Sequence, residues 1–219
     1  MSELEVREIV PSTRDLLQVL STKRRNLALI GEIGAEGAAS EAARLDDLNV
    51  SAFAFAAAGP AMTDGARATK TVPSLCLAAV TSREECQHAR FHGADGVCID
   101  VKLPPAEWDA LAKIARGMRM LPLALAGSAD DVELAAKAGA RAVLLRAGSA
   151  AEVIEMAQRC PRGVTLVADV ASSEGASRTG SVVDAAALRA LVGKVDSAVV
   201  SPAVHAAAGF ADLVAEVDP

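Results

Sequence analysis

The chain has 219 residues, of which 52% are hydrophobic and only 2% aromatic, with one Trp and no Tyr. A core of that make-up is built from Ala, Val, Leu and Ile. It offers few aromatic faces for base stacking or a carbohydrate platform. The net charge of −6 and a pI of about 5.1 argue against the basic stripe of a phosphate-backbone binder.

The chain opens on a charged segment without the apolar core of a signal peptide. Its most apolar stretch, 50–62, contains Gly and Pro and is too short to span a bilayer. A cytoplasmic protein that contacts neither membrane nor nucleic acid is expected. Cys76, Cys86, Cys98 and Cys160 form no CxxC pair and read as reduced structural thiols, with no metal and no cofactor implied.

Along the chain, short apolar runs rich in β-branched residues alternate with Ala-rich stretches of helical period. A leading helix is predicted over 12–24, capped by Ser12 or Thr13, with Asp15 in its first turn. Strand one follows at 27–33 and its helix at 38–47. Strand two is placed at 50–56 with a short helix at 62–69, and strand three at 72–77 with a helix at 82–92. Strand four spans 96–100, with a helix at 105–116 that carries Pro near its start. Strand five (121–125) precedes a helix at 128–138, and strand six (141–145) one at 150–160. Strand seven (164–170) precedes a helix at 184–192, and strand eight (195–200) a last helix at 204–217.

The strands are continuous apolar runs, as in a parallel sheet covered by helices. The phrases GADGVCID, GARAVLL and KVDSAVV repeat one design, a helix ending in a turn before a buried strand. Eight such units predict a single (β/α)8 barrel with short loops. No linker divides the chain, so one domain is expected over 1–219, with 1–11 as an N-terminal extension.

Three segments, LALIGEIG (27–34), VPSLCLAAVTSREECQHARFHGADGVCID (72–100) and LPLALAGSADDVELAAKAGARAVLL (121–145), resemble the indole-3-glycerol-phosphate synthase family. P-x-L-C followed by G-A-D is the more specific motif. The resemblance implies a barrel whose ring-closing chemistry needs a general acid, a general base and a phosphate cradle at the strand C-terminal ends. Of the positions it implies, the first-strand glutamate is Glu32, but the lysine two residues on is Gly34. The third-strand lysine is Leu77. The fifth-strand glutamate falls on Leu125, or on Ala124 if the alignment slips by one. The sixth-strand asparagine is Arg146, the seventh-strand glutamate is Asp169 and the serine after it Val170. The eighth-strand glycine is Ser201, followed by Pro202. Only residues 35–37 separate strand one from its helix, where the family has a long substrate loop. Leucine cannot donate a proton, and losing a general acid costs about two to four orders of magnitude in rate. The expectation is a protein that no longer runs the synthase reaction.

Four charged residues remain at the mouth: Glu32, Asp100, Arg146 and Asp169. Either Arg146 grips an anion there, or it pairs with Glu32 or Asp169. Lys102 reads as a solvated lysine or a Schiff-base one. The glycines of GEIGAEG read as a tight turn or a phosphate cradle. His88 and His92, four apart on a helix, read as a surface pair or metal ligands, and His205 is placed near the mouth. The polar loop SSEGASRTGS offers Ser177, Arg178 and Ser181 to a phosphate, with Ser201 beside them.

The leading reading is a barrel that acts by binding, regulation or scaffolding, with a protein partner or a small anionic ligand, as monomer or homodimer. The alternative is an enzyme of lyase or isomerase type that acts on a small anionic or phosphorylated metabolite through Glu32 and Asp169. Residual synthase activity is the third.

Overall fold

The computed structural model describes residues 9–21, 26–172, 179–181 and 184–217. A short helix α1 (Leu16–Ser21) leads into β1 (Ala28–Ile33) and α2 (Ala38–Asp47), then β2 (Ala52–Phe55) and α3 (Pro60–Ala68). The units β3 (Ser74–Val80) with α4 (Arg83–Phe91), β4 (Gly96–Asp100) with α5 (Pro105–Gly117), and β5 (Leu121–Ala126) with α6 (Ala129–Lys137) follow. Next come β6 (Ala142–Ala147) with α7 (Ala150–Gln158), and β7 (Thr165–Ser172), a short β8 (Thr179–Ser181) and α8 (Ala185–Leu191). The chain ends with β9 (Ser197–Val200), α9 (Pro202–His205) and α10 (Phe210–Val217).

Strands β1 to β7 pair in parallel in sequence order, and β9 closes the ring between β7 and β1. The molecule is a closed eight-stranded (β/α)8 barrel, as expected. β8 stands apart, pairing antiparallel with the end of β7.

Local chemistry explains the regular units. Ser82, Ser128 and Ser149 cap α4, α6 and α7, each accepting from the backbone N–H three residues on. That third residue, Glu85, Asp131 or Glu152, reaches back to the N–H of Thr81, Gly127 or Gly148. At the other end, α2, α4, α5 and α6 close with the N–H of Val50, Ala94, Met120 or Ala140 on a carbonyl five residues back. The residue before each of these has a left-handed backbone: Asn49, Gly93, Arg119 and Gly139.

Two apolar layers result. The outer one lies between sheet and helices and holds the large side chains Phe53, Phe55, Leu45 and Met62. Gly31 permits its closest approach, since a Cβ there would lie 2.6 Å from Leu45 Cδ1. The inner one fills the barrel with Ile30, Ala52, Ala54, Leu75, Leu77, Cys98, Leu123, Leu144, Val167 and Val199. Leu16 and Leu20 of α1 belong to this inner layer and plug the N-terminal end, and a Cβ on Gly96 would run into Leu16.

Several boundaries differ from expectation. Ser12 does not cap the leading helix. Its hydroxyl bonds Asp95, and Asp15 caps instead, accepting from Gln18 N. β3 runs on to Val80 through a register shift between Cys76 and Ala79. The last predicted helix is two helices, split where Gly209 takes φ of 90°. The polar stretch after β7 contains the strand β8.

Candidate functional site at the barrel mouth

In a strand, residues two apart share a face. The inner layer contains Ile30, Leu75, Cys98, Leu123, Leu144, Val167 and Val199. The next inward position on each strand, one step toward the C-terminal end, is therefore Glu32, Leu77, Asp100, Leu125, Arg146, Asp169 and Ser201. Barrel enzymes carry their chemistry at this level.

Arg146 and Asp169 are register partners on β6 and β7. Arg146 Nε donates to Asp169 Oδ2 at 2.7 Å, and Nη2 donates to the Leu77 carbonyl oxygen at 3.0 Å. The guanidinium therefore reaches across the mouth from β6 to β3. Asp169 is fully buried, and the Arg146 side chain keeps 27% exposure. Leu77 is buried in the inner layer and Leu125 packs against it, so these two positions of the mouth are filled by hydrocarbon. Glu32 is buried on β1, and Ser201 at the end of β9 is buried with a hydroxyl that has no hydrogen-bond partner among the described residues. Asp100 is half-buried and accepts from the Lys102 N–H at 2.9 Å. Lys102 itself is solvated, its ammonium 3.4 Å from Asp131.

The structure thus brings Glu32, Asp100, Arg146, Asp169 and Ser201 to one end of the barrel. Arg178 and Ser177 lie outside the described residues. Ser181 is in β8, and its side chain also falls outside the description.

His205, on α9, packs against the end of β1 and α2. Its Nε2–H donates to the Glu32 carbonyl at 2.7 Å, since a carbonyl only accepts. Nδ1 then carries the lone pair and accepts from Arg44 Nη2 at 2.9 Å, beside Glu41 Oε1 at 3.0 Å. Burial pushes its pKa below the ordinary 6.5, with Arg44 adding to the effect and the Glu32 carbonyl and Glu41 opposing it. The unfolded chain binds this proton more readily than the folded one. Stability should therefore fall as pH drops below about 6.5, and more steeply than in a His205→Gln variant. His92, also lowered by burial and by His88, acts in the same direction and is common to both proteins. Urea unfolding between pH 5 and 8 compares them, and equal slopes would overturn this reading of His205.

The other sequence candidates resolve simply. His88 and His92 contact one another at 3.1 Å, with Thr63 on the second ring, and no metal-holding cluster occurs among the described residues. None of the four cysteines is in a disulfide. Burial pushes the Cys86 and Cys160 thiols up to about 11, away from thiolate chemistry. No helix among the described residues is long and apolar enough to cross a membrane.

Sequence reasoning passed over the buried carboxylate Asp95, at the opposite end of the barrel. It accepts from the Ser12 hydroxyl at 2.5 Å and from Ser74 N at 2.9 Å, and it meets the guanidiniums of Arg90 at 2.9 Å and Arg14 at 3.2 Å. Asp196, just before β9, likewise accepts from Leu166 N at 2.7 Å. The signal was present in the repeated phrases, where G-A-D and K-V-D put an aspartate immediately before a strand.

The closed ring of eight parallel strands with alternating helices defines the class: a (β/α)8 barrel, a fold that carries many enzymes. Similar solved structures agree. One is a 3-hexulose-6-phosphate synthase, with a TM-score of 0.64 and 17% identity over 87% of this chain and 98% of that one. Another is a thiamine phosphate pyrophosphorylase from Pyrococcus furiosus, with a TM-score of 0.61 and 15% identity over 90% of this chain and 99% of that one. At such identities the likeness is one of fold alone. No family model and no curated protein matches the chain.

Proposed function

We propose that this chain is a single-domain barrel that has left the indole-glycerol-phosphate synthase reaction and works by binding a small ligand. One observation carries the reading: the Arg146 guanidinium is committed to Asp169 and to the Leu77 carbonyl, across a mouth whose lysine positions are Gly34 and Leu77. Carboxylates outnumber Arg146 in the described mouth layer, which disfavours a phosphorylated substrate there. Large exposed hydrophobics among the described residues are Val10, Phe91 and Leu134, which are single residues and do not amount to a docking patch. A small ligand therefore fits better than a protein partner.

Two buried carboxylates on different strands, Glu32 and Asp169, favour a second reading, an enzyme of altered chemistry on a small anionic metabolite. The experiment separates the readings. The purified protein is incubated with the phosphorylated anthranilate substrate, then screened by thermal shift with phosphorylated metabolites, alongside an Arg146→Met variant. No indole product is expected. Arg146→Met is expected to destabilise by about 1–3 kcal/mol, because it leaves the buried Asp169 carboxylate without its charge-assisted donor. Turnover of the synthase substrate by the wild type overturns the proposal. A metabolite-induced shift that disappears in Arg146→Met supports a ligand at the mouth, conversion of that metabolite moves the conclusion to the enzyme reading, and no shift with any metabolite weighs against both.

A further inference from the structure

At the end of the barrel opposite the mouth, a cavity of about 470 Å³ opens between the leading segment, the C-terminal end of α5 and the starts of β5 and β6. Its volume suits a small ligand. Arg14, Arg116, Arg119 and Arg141 line it, against Asp15 as the one acidic lining residue. In a chain of net charge −6 that is a local reversal of sign. The remaining walls are mostly apolar, and Trp108 is among them. Trp108 is 3% exposed, and its indole Nε1 has no hydrogen-bond partner among the described residues.

Not all the arginines are available. Arg14 is held by Asp95, and Arg116 has only a 3.8 Å contact with Asp109. Arg119 and Arg141 are exposed and make no side-chain ion pair among the described residues.

The backbone supplies an independent observation. Five helices, α2, α4, α5, α6 and α8, place the residue after their C-cap in the left-handed region. Four of these residues are Asn49, Gly93, Gly139 and Gly193, the types that tolerate it. The fifth is Arg119, at φ of 58°. A helix C-terminus attracts cations, which accounts for Arg116. It does not explain an arginine at the one turn position where the fold otherwise uses Gly or Asn, nor Arg141 from the start of β6.

We propose that this cavity binds a small organic dianion with an apolar or planar body. Arg116, Arg119 and Arg141 hold the charge, and the Trp108 side chain forms part of the wall that receives the body. The site is separate from the mouth, so it stands or falls independently of the function proposed above.

The chain reports on the cavity directly, because Trp108 is its only tryptophan and it has no tyrosine. The full chain is titrated with phenyl phosphate and with phthalate, which separate phosphate from dicarboxylate recognition, and with phenol as the neutral control. A saturable change in tryptophan fluorescence with at least one dianion, and none with phenol, is expected. Affinity should drop about tenfold or more in Arg119→Gly and in Arg141→Gln. Arg119→Gly should also melt higher than wild type, since glycine relieves the left-handed backbone, so its loss of binding would not reflect misfolding. Arg146→Met at the mouth should bind as wild type does. The proposal is overturned if neither dianion changes the fluorescence, if phenol changes it equally, or if the Arg119 and Arg141 variants bind as tightly as wild type.

Discussion

Replacing Asp95 with alanine is expected to destabilise the protein by about 3–5 kcal/mol, the range for removing one partner of a buried charge cluster. Asp95 is 1% exposed, accepts from a hydroxyl, a backbone N–H and the Arg90 guanidinium, and forms an ion pair with Arg14. Arg14 and Arg90 are themselves only 15% and 12% exposed, so neither recovers full hydration when the carboxylate is gone. The same cluster ties down the leading segment, because Arg90 Nε also bonds the Val10 carbonyl at 2.8 Å. For a chain of this length each kcal/mol lowers the melting temperature by roughly 2–4 °C, which puts the loss on the order of 10 °C. Asp95→Asn keeps the shape and one acceptor oxygen but removes the charge, so it should fall between wild type and Asp95→Ala. Calorimetry of the three proteins tests this. A variant Asp95→Ala within about 1 kcal/mol of wild type would show that the cluster merely decorates the barrel end.

The second large effect belongs to Leu16. Its side chain is 1% exposed and packs in the inner layer with Leu75 and Leu123, although Leu16 comes from a helix outside the barrel wall. Leu16→Ala removes a plug and leaves a cavity lined by β-strand side chains that cannot collapse, because the closed ring fixes their spacing. A loss of about 2–5 kcal/mol is expected. Chemical denaturation should show a lower midpoint with an unchanged slope, as for a change in native packing alone. A stability loss of less than about 0.5 kcal/mol would mean that α1 is dispensable to the barrel core. The two substitutions are both at the N-terminal end and share the segment 12–16, so a double variant should lose less than the sum of the two.

The barrel was legible because its signals are local. A parallel strand buried on both faces needs a continuous apolar run, and helix ends need caps, so GADGVCID or Ser128 with Asp131 can be read without knowing where the rest of the chain goes. Glu32, Arg146, Asp169 and Ser201 were reached through the family resemblance and Asp100 by its place at a strand end, and all five stand near strand ends, where a residue can face the mouth. Boundaries failed where tertiary contacts outweighed local preference. Ser12 has the composition of a helix cap, but it is drawn to Asp95, 83 residues away. β3 extends past Leu77 because β4 continues to pair with it through a register shift.

The sequence by itself thus determined eight strand–helix units, a glycine at 34 and leucines at 77 and 125 at the strand ends, and an interior built of aliphatic side chains. Each of these depends on residue type and spacing along the chain. The partners of the charged groups were decided only by the closed ring. Arg146 could have served an anion, Glu32 or Asp169, and the choice fell to Asp169 and the Leu77 carbonyl once β6, β7 and β3 were set around one axis. The arginine-lined cavity below Trp108 is likewise invisible in the linear chain, since Arg14, Arg119 and Arg141 lie far apart in sequence. A charge acts on whatever is within a few ångströms, and in a barrel those neighbours come from strands and helices that periodicity can place on a face but cannot pair.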